Sequence, residues 1–387
     1  SAEDADSEGQ EGKFYCWTHA ELSRLLTPEE FNVAAKYFGI TKAGNFVDHS
    51  HPDPLPGLNV LSVLNPIGGA AWPRGQADQQ VSPTDLELLA SAKTKMLAER
   101  AQRIRPHLDD KILASWNGLM LGAFARASVV LGDEKYLAAA EKNLQFLHEK
   151  LWQPPQAGGT SVPASQTGTL YHRWRDGERD SVQLLEAYAF LLEGVIHLYE
   201  ATLNPAHLDF AGELAEAMIA KFYDPENGGF WQSPAGTNDL ILRVKDDYDG
   251  AEPSGNSVAT LALFKLAAIT GRENFRVPAE TTLQLAAARL QNQPAALAYM
   301  LHALDFWLDE PHRVVICGDT NSTNFHGLLQ AAHSVFQPNK IVLSNTGAVE
   351  PFAKSLAAKN EATVYFCTGT ACQPPTDDAA RVKKLLS

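Results

Sequence analysis

The chain has 387 residues, of which 45% are hydrophobic and 20% are charged, the balance of a globular protein with a sizeable core. Its 32 basic and 46 acidic residues give a net charge of −14, which argues against nucleic acid or an anionic membrane surface as a partner. The most apolar stretch, 119–131, is interrupted by Arg126 and is shorter than the roughly 20 residues of a membrane span.

Two short helices are predicted near the N-terminal end, at 18–26 and 28–38. They precede a segment rich in glycine and proline, 41–80, and a second segment of this kind spans 152–170. Loops of this length within compact domains tend to be binding elements or lids.

From Pro83 onward, long amphipathic segments alternate with glycine and proline, a pattern that predicts helices. Eight are predicted, at 83–103, 113–131, 134–151, 182–202, 206–222, 255–270, 279–290 and 295–308, with no strand pairs between them. Ser82, Gly132 and Gly271 are expected to cap helix ends. Short connections such as 131–134 force antiparallel neighbours, so the array is a bundle, a solenoid or a closed toroid.

After residue 308 the pattern changes to three short β-branched runs, 313–317, 340–344 and 363–367, with helical segments between them. This β-α-β-α-β order predicts a small parallel sheet. The predicted organisation is therefore an α/α toroid region over 1–310, with long loops at 41–80 and 152–170, and a small C-terminal α/β subdomain over 311–387.

The cysteines and histidines indicate no metal site, cofactor or disulfide framework. Four scattered cysteines match no zinc spacing and are expected to be buried free thiols in a cytoplasmic protein; they are Cys16, Cys317, Cys367 and Cys372. The acidic segment 1–9 resembles a cation-binding loop but lacks calcium-loop spacing. No phosphate-binding loop, dinucleotide fingerprint or G-x-S-x-G elbow is present.

Polar residues gather at or just before the starts of the second, fourth and sixth of these helices, at 108–118, 179–188 and 246–257. In a closed ring every second helix lies inside and runs in the same direction, so these three clusters are expected to share one rim and face a central cavity. Carboxylates there suit acid/base work, aromatic rings stack on sugars, and amides and hydroxyls bind sugar hydroxyls. Asp, Ser and Asn at helix starts are also ordinary caps, and the aromatic residues could be core residues.

The candidate site residues fall into two groups. The candidate acid/base groups are Asp110, Glu186 and Asp249, with Asp6 as a fourth. The candidate substrate-binding residues are Trp116, Asn117, Tyr188, Tyr248, Ser254 and Asn256.

Several short segments along the chain are distinctive, and they are 3–9 (EDADSEG), 11–15 (EGKFY), 109–113 (DDKIL), 115–120 (SWNGLM), 187–191 (AYAFL), 198–202 (LYEAT), 247–251 (DYDGA), 253–257 (PSGNS) and 372–375 (CQPP). Together they resemble the thioredoxin-domain-containing family that includes the spermatogenesis-associated proteins and their bacterial homologues. The chain departs from the family pattern at Ala187, where an acidic residue is usual.

The resemblance implies a thioredoxin-like domain followed by a six-hairpin glycosidase-like region, similar to N-acylglucosamine 2-epimerases. The chain is expected to begin inside that second region, because eight predicted helices are four short of the twelve in six hairpins. The fold class expected is thus a mainly α toroid, incomplete at its N-terminus. The N-terminal part of the same protein, with the thioredoxin-like domain and the first hairpins, is an expected partner.

These observations predict a carbohydrate-active protein whose central cavity binds a sugar or another small ligand, and which acts as a glycoside hydrolase through paired carboxylates. One alternative is a non-catalytic binding or scaffold ring that works with the thioredoxin-like domain. Another is a sugar epimerase, which would need a histidine near the cavity as an acid/base group. Among the histidines, only His107 and His172 lie close to predicted rim segments.

Overall fold

The computed structural model describes residues 2–49, 51–65, 83–155, 167–237, 240–369 and 371–387. The chain divides into two compact units, Ser1–Asp110 and Lys111–Ser387. Ser82, predicted to be a helix cap, and much of the segments 41–80 and 152–170 lie outside the described residues. Within the described residues, no helix is both long and apolar enough to cross a membrane.

The described residues of the N-terminal unit form three helices and short paired strands. Its elements are β1 (Ala2–Glu3), β2 (Asp6–Ser7), β3 (Gln10–Glu11), β4 (Trp17–Thr18), α1 (His19–Leu25), α2 (Pro28–Phe38), β5 (Leu58–Asn59), α3 (Pro83–Arg100) and β6 (Leu108–Asp109). The capping box of Thr27 and Glu30 starts α2. Lys95 and Ser91 of α3 bond to the same Glu30 carboxylate, which lowers its pKa to about 2 and joins the two helices.

The second unit contains the remaining helices and strands. Its helices are α4 (Ala114–Leu131), α5 (Glu134–Lys150), α6 (Leu185–Thr202), α7 (Pro205–Phe222), α8 (Gly255–Thr270), α9 (Glu273–Asn292), a 3₁₀ turn (Pro294–Leu297), α10 (Ala298–Leu308), α11 (Thr323–His333), α12 (Pro351–Ser355) and α13 (Ala379–Leu386). Its strands are β7 (Ile112–Leu113), β8 (Trp152–Gln153), β9 (Thr169–Leu170), β10 (Arg173–Arg175), β11 (Glu178–Arg179), β12 (His312–Gly318), β13 (Lys340–Ser344), β14 (Ala362–Thr368) and β15 (Ala371–Cys372).

Helices α4, α6, α8 and α10 form an inner row, in which α6 packs between α4 and α8, and α10 packs on α8. Helices α5, α7 and α9 each fold back on the inner helix that precedes them. Helices α6 and α8 are mainly apolar and almost wholly buried, as expected for the inner row. The predicted fold class, a mainly α array of hairpins of the α/α toroid type with a small C-terminal sheet, is confirmed.

Two glycines bring the backbones of α4 and α6 into direct contact. A Cβ on Gly118 would lie 2.6 Å from the backbone N of Leu191, and a Cβ on Gly194 would lie 2.4 Å from the carbonyl O of Gly118. Because no side chain separates the helices there, their starting ends are fixed beside each other.

The C-terminal strands form a mixed sheet in the order β13-β12-β14-β15. Strands β12 and β13 are parallel, as predicted, but β12 and β14 are antiparallel, so the prediction of an all-parallel sheet is wrong. Strand β13 ends at Ser344, opposite Ile316, and β14 begins at Ala362, opposite Gly318. The chain therefore enters β14 from the end of the sheet at which β13 finishes, and β14 runs antiparallel to β12.

This sheet lies against α6 and α8 and belongs to the same compact unit as the inner helices. Tyr199 Oη accepts a hydrogen bond of 3.3 Å from the backbone N of Ser344. Glu200 Oε1 accepts one of 3.1 Å from the backbone N of Val342. The inner row is thus closed at one end by the sheet, and its helices start at the other.

Two local predictions need correction. Helix α9 begins at Glu273 rather than at residue 279, and Pro278 lies inside it, where the buried ring packs in the core. Proline there removes one helical hydrogen bond without ending the helix. Short strand pairs also occur between the helices: β10 pairs with both β7 and β11, and β8 pairs with β9.

The prediction of four free thiols is wrong for two of the cysteines. The antiparallel register of β14 and β15 places Cys367 directly opposite Cys372, and the two form a disulfide with a Cα–Cα distance of 4.0 Å. Cys367 is buried and Cys372 is exposed. Cys16 and Cys317 are free and buried, as predicted.

Candidate functional site

The starts of α4, α6 and α8 lie together, so the polar clusters at these helix starts meet at one end of the inner row. Trp116 Nε1, on α4, donates a hydrogen bond of 3.1 Å to Glu252 Oε2, just ahead of α8. A Cβ on Gly255, at the start of α8, would lie 3.3 Å from the backbone N of Glu186 on α6. We call the surface formed by Trp116, Glu186, Asp246, Tyr248 and Glu252 the acidic rim.

Glu186 is the carboxyl group of the rim whose proton affinity is most clearly changed by its surroundings. Its side chain is half-buried, whereas that of Glu252 is exposed. Burial raises the pKa of Glu186, and the negative charges of Glu252 and Asp246 raise it further. Glu186 therefore keeps its proton to a higher pH than an ordinary glutamate does, which suits a general acid.

Two aromatic side chains stand open to solvent at the rim. Trp116 and Tyr248 are each 56% exposed, well above what is usual for rings that fill a core. Trp116 is held by its bond to Glu252, so its ring has a defined orientation next to the carboxyl groups. Flat apolar faces beside hydrogen-bonding groups are what a sugar ring requires.

Asp249, predicted to be an acid/base group, connects the starts of two helices. Its Oδ1 accepts a hydrogen bond from the backbone N of Ser254 at 2.8 Å. Its Oδ2 accepts hydrogen bonds from the backbone N of Tyr299 at 2.7 Å and of Met300 at 3.2 Å. Both oxygens are thus engaged in fixing α8 against α10.

Replacing Asp249 with alanine is expected to lower the free energy of unfolding by about 3 kcal/mol, because three backbone donors lose a charged acceptor. The measurement is urea denaturation followed by circular dichroism. Asp247→Ala is the matched control, since Asp247 pairs with Arg289 at the surface and its loss should cost no more than about 1 kcal/mol. Equal losses for the two variants would contradict the role assigned to Asp249.

Ser254 and Asn256 stabilise the start of α8 from within. Ser254 Oγ caps the helix by accepting from the backbone N of Ser257 at 3.2 Å. Asn256 Oδ1 accepts from the backbone N of Phe230 at 2.7 Å, and its Nδ2 donates to the carbonyl oxygens of Phe230 and Asp246. Both side chains are buried, so the structure gives them capping and bridging roles rather than exposed positions at the rim.

Tyr188 and Asn117 also make internal contacts. Tyr188 is fully buried; its hydroxyl accepts from the backbone N of Leu170 at 2.7 Å and donates to Gln183 Oε1. Asn117 Nδ2 donates to the carbonyl O of Leu113 at 2.9 Å. The ring of Tyr188 thus packs in the core and does not line the rim, because α6 is surrounded by other helices.

The remaining two predicted acids, Asp6 and Asp110, lie in the N-terminal unit, whereas all the other candidates lie in the second unit. Both side chains are exposed. Asp6 belongs to the β2–β3 hairpin, where it pairs with Glu11 in the register.

Two rim carboxylates were not chosen as candidates from the sequence, Glu252 and Asp246. Their signal was weak but present, because both lie in the acidic segment that leads into α8. Asp246 is fixed by its own loop, since its Oδ1 accepts from the backbone N of Tyr248 at 3.2 Å. A search for carboxylates within ten residues before an inner-helix start would have included both.

Comparison with known proteins gives one set of relatives that match along the whole chain. Spermatogenesis-associated protein 20 of Homo sapiens is 34% identical over 415 aligned positions, and that of Mus musculus is 33% identical over 412. The chain is a relative of spermatogenesis-associated protein 20. The family resemblance seen in the sequence is thereby confirmed. No family model matches the chain.

The chain spans about half the length of its spermatogenesis-associated protein 20 relatives, since the alignments cover 100% of the chain and 51% of the human and mouse proteins. An uncharacterised protein of Caenorhabditis elegans is 28% identical and matches in the same way, with 54% of its length covered.

Solved structures resemble the chain distantly. A cellobiose 2-epimerase from Bacillus thermoamylovorans has a TM-score of 0.37 and 19% identity, with 47% of this chain and 46% of that chain covered. A family 76 glycoside hydrolase, a mannosidase from Bacteroides thetaiotaomicron, has a TM-score of 0.35 and 17% identity, with 46% and 45% covered. An α-1,6-mannanase from Salegentibacter has a TM-score of 0.37 and 12% identity, with 53% and 54% covered.

Proposed function

We propose that the chain is a carbohydrate-active protein that binds a glycan at the acidic rim and hydrolyses a glycosidic bond there. The observation that carries this proposal is the half-buried carboxyl group of Glu186, with its raised pKa, beside the carboxylates of Glu252 and Asp246. Glycosidases use such a set, one carboxyl that keeps its proton and a second that is ionised.

The roles follow from the environment of each group. Glu186, as general acid, protonates the oxygen of the leaving sugar. Glu252, exposed and anchored by Trp116 Nε1, acts as the base that activates water or as the nucleophile. Asp246 adds negative charge on the same side, which helps Glu186 to keep its proton and favours a positively charged transition state.

The exposed aromatic rings supply the binding surface for the sugar. Trp116 stands next to Glu252, so a sugar ring stacked on its face would present a glycosidic oxygen to the carboxyl groups. Tyr248 lies two residues after Asp246 and provides a second open ring on the same loop. Together they fit a carbohydrate better than an extended apolar ligand, because each ring adjoins hydrogen-bonding groups.

The test is a hydrolysis screen of the 387-residue chain against a panel of α- and β-linked oligosaccharides, with products identified by mass spectrometry. We expect turnover of at least one linkage, and a rise in KM of about tenfold or more for Trp116→Ala through lost stacking. Trp307→Ala is the matched control, because Trp307 is a similarly exposed tryptophan on α10 that is bonded to Glu280. If the chain binds an oligosaccharide of the panel but cleaves none of them, the non-catalytic alternative is favoured.

A further inference from the structure

Beyond the rim, charged groups from the four inner helices converge on Glu193 of α6. Tyr299 of α10 donates a hydrogen bond to Glu193 Oε1. Lys265 of α8, Arg126 of α4 and His302 of α10 are close enough to act on its carboxyl group electrostatically. Seven residues of helix separate Glu193 from Glu186, so this cluster lies about 10 Å from the rim along the inner row.

Lys265 is the unusual member of this cluster. Its side chain is only 7% exposed, and its Nζ makes no hydrogen bond, and no ion pair within 4 Å, to any residue that the structure describes. Because Nζ has no such partner and is not fully enclosed, its tip keeps some accessible surface.

Glu193 is the carboxyl group on which the positive charges of Lys265 and Arg126 act. Burial raises the pKa of its carboxyl group, against the opposing effects of the Tyr299 hydrogen bond and the positive charges nearby. The carboxyl group therefore holds its proton more readily than an exposed glutamate does.

The positive charges of this cluster also affect other groups nearby. Burial, followed by the positive charges of Lys265 and Arg126, holds the pKa of His197 well below its usual range. Arg126 is exposed, and its guanidinium group makes no hydrogen bond or ion pair within the described part of the chain. His302 is exposed and stacks on the partly exposed Tyr299 with ring centroids 5.5 Å apart, so the cluster is open on the α10 side.

The inner row is thus acidic at its rim and basic further along. We infer that Arg126, Lys265 and His302 bind the anionic group, a carboxylate or a phosphate, of an acidic sugar. The inference rests on the proposed function, because it names the class of glycan whose glycosidic bond lies at the acidic rim. Lysine provides a point charge and arginine a two-pronged donor, the pair that proteins use for such groups.

The experiment is calorimetric titration of the chain with glucose, glucuronate and glucose 6-phosphate at fixed ionic strength. We expect one charged sugar to bind about tenfold or more tightly than glucose, and which one it is tells a carboxylate site from a phosphate site. Lys265→Met and Arg126→Gln should each remove most of that preference and leave glucose affinity unchanged. Lys142→Met, which removes an exposed lysine on α5, is the matched control and should change nothing.

Equal affinity for charged and neutral sugars, or an unchanged preference in a folded Arg126→Gln variant, overturns the inference. Arg126 is exposed, so that variant is informative even where Lys265→Met disturbs folding. The proposed function is tested separately: Glu186→Gln should reduce hydrolysis by about 10²–10⁴-fold and keep the preference for the charged sugar. If the wild type hydrolyses charged and neutral glycans equally well, the hydrolase stands and the anionic site does not.

Discussion

Replacing Gly118 with alanine is expected to lower the free energy of unfolding by about 3 kcal/mol, because the added methyl group would clash with the backbone of α6. It would lie 2.6 Å from the backbone N of Leu191 and 2.6 Å from the carbonyl C of Phe190. These are backbone atoms of α6, so relief requires α4 and α6 to separate along their whole contact. Urea denaturation followed by circular dichroism measures the loss.

Gly212→Ala provides the control, since Gly212 lies inside α7 and the nearest atom to its added Cβ is the Arg272 guanidinium at 3.8 Å. That substitution should raise stability by about 0.5–1 kcal/mol, because alanine is the better helix former. Two variants with the same chemical change would thus move in opposite directions. If Gly118→Ala were as mild as Gly212→Ala, the close crossing of α4 and α6 would not be what positions their starts.

The same crossing connects stability to the site. Trp116 lies two residues before Gly118 on α4, and Glu186 lies at the start of α6. Separating α4 from α6 would move the Trp116 ring away from the carboxyl groups of the rim. We therefore expect Gly118→Ala to weaken glycan binding even under conditions in which it remains folded.

The helices could be predicted well because their signals are local. Helix α8 runs from Gly255 to Thr270 as predicted, since Ser254 caps its start and Gly271 adopts the left-handed conformation at its end. Pro278 shows the limit of such signals: proline usually marks a boundary, yet packing of α9 against the core keeps it within the helix.

Features that depend on distant residues were harder to predict. The direction of β14 depends on the end of the sheet from which the chain enters it, which periodicity does not record. Tyr188 has the residue type of a stacking platform, and only the packing of neighbouring helices shows that it is buried. In the sequence Lys265 is a lysine in a mainly apolar helix. Its proposed role in anion binding depends on its proximity to Arg126 and Glu193 of other helices.

The candidate site residues show the same contrast between local signals and distant partners. Aspartate before a helix start predicts equally a cap and a catalytic acid, and Asp249 proved to hold two helix starts together. Glu186 has a signal of the same kind, but its neighbours Glu252 and Asp246 distinguish it. The difference lies in the partners, backbone donors in one case and like charges in the other, and sequence position reveals neither.

Replacing Glu186 with glutamine should reduce turnover of the glycan found in the screen by about 10²–10⁴-fold, because the leaving oxygen loses its proton donor. The pH profile adds a second readout. Because the pKa of Glu186 is raised in the folded protein, wild-type kcat/KM should fall as pH rises through that pKa. The variant should lack that limb, and Glu141→Gln, on the exposed face of α5, should keep it.

Stability should change in the opposite direction to activity. A carboxyl group whose pKa is raised on folding is fully accommodated below its unfolded pKa and costs stability as pH rises through its folded pKa. Glutamine carries no such cost, so Glu186→Gln should match the wild type in acid and exceed it at neutral pH. By contrast, neutralising a carboxylate that serves as a cap or ion-pair partner lowers the free energy of unfolding, as expected for substitution of Asp249. A gain in stability together with a loss of turnover is therefore the outcome that separates a catalytic acid from a structural one, and unchanged turnover would remove Glu186 from the mechanism.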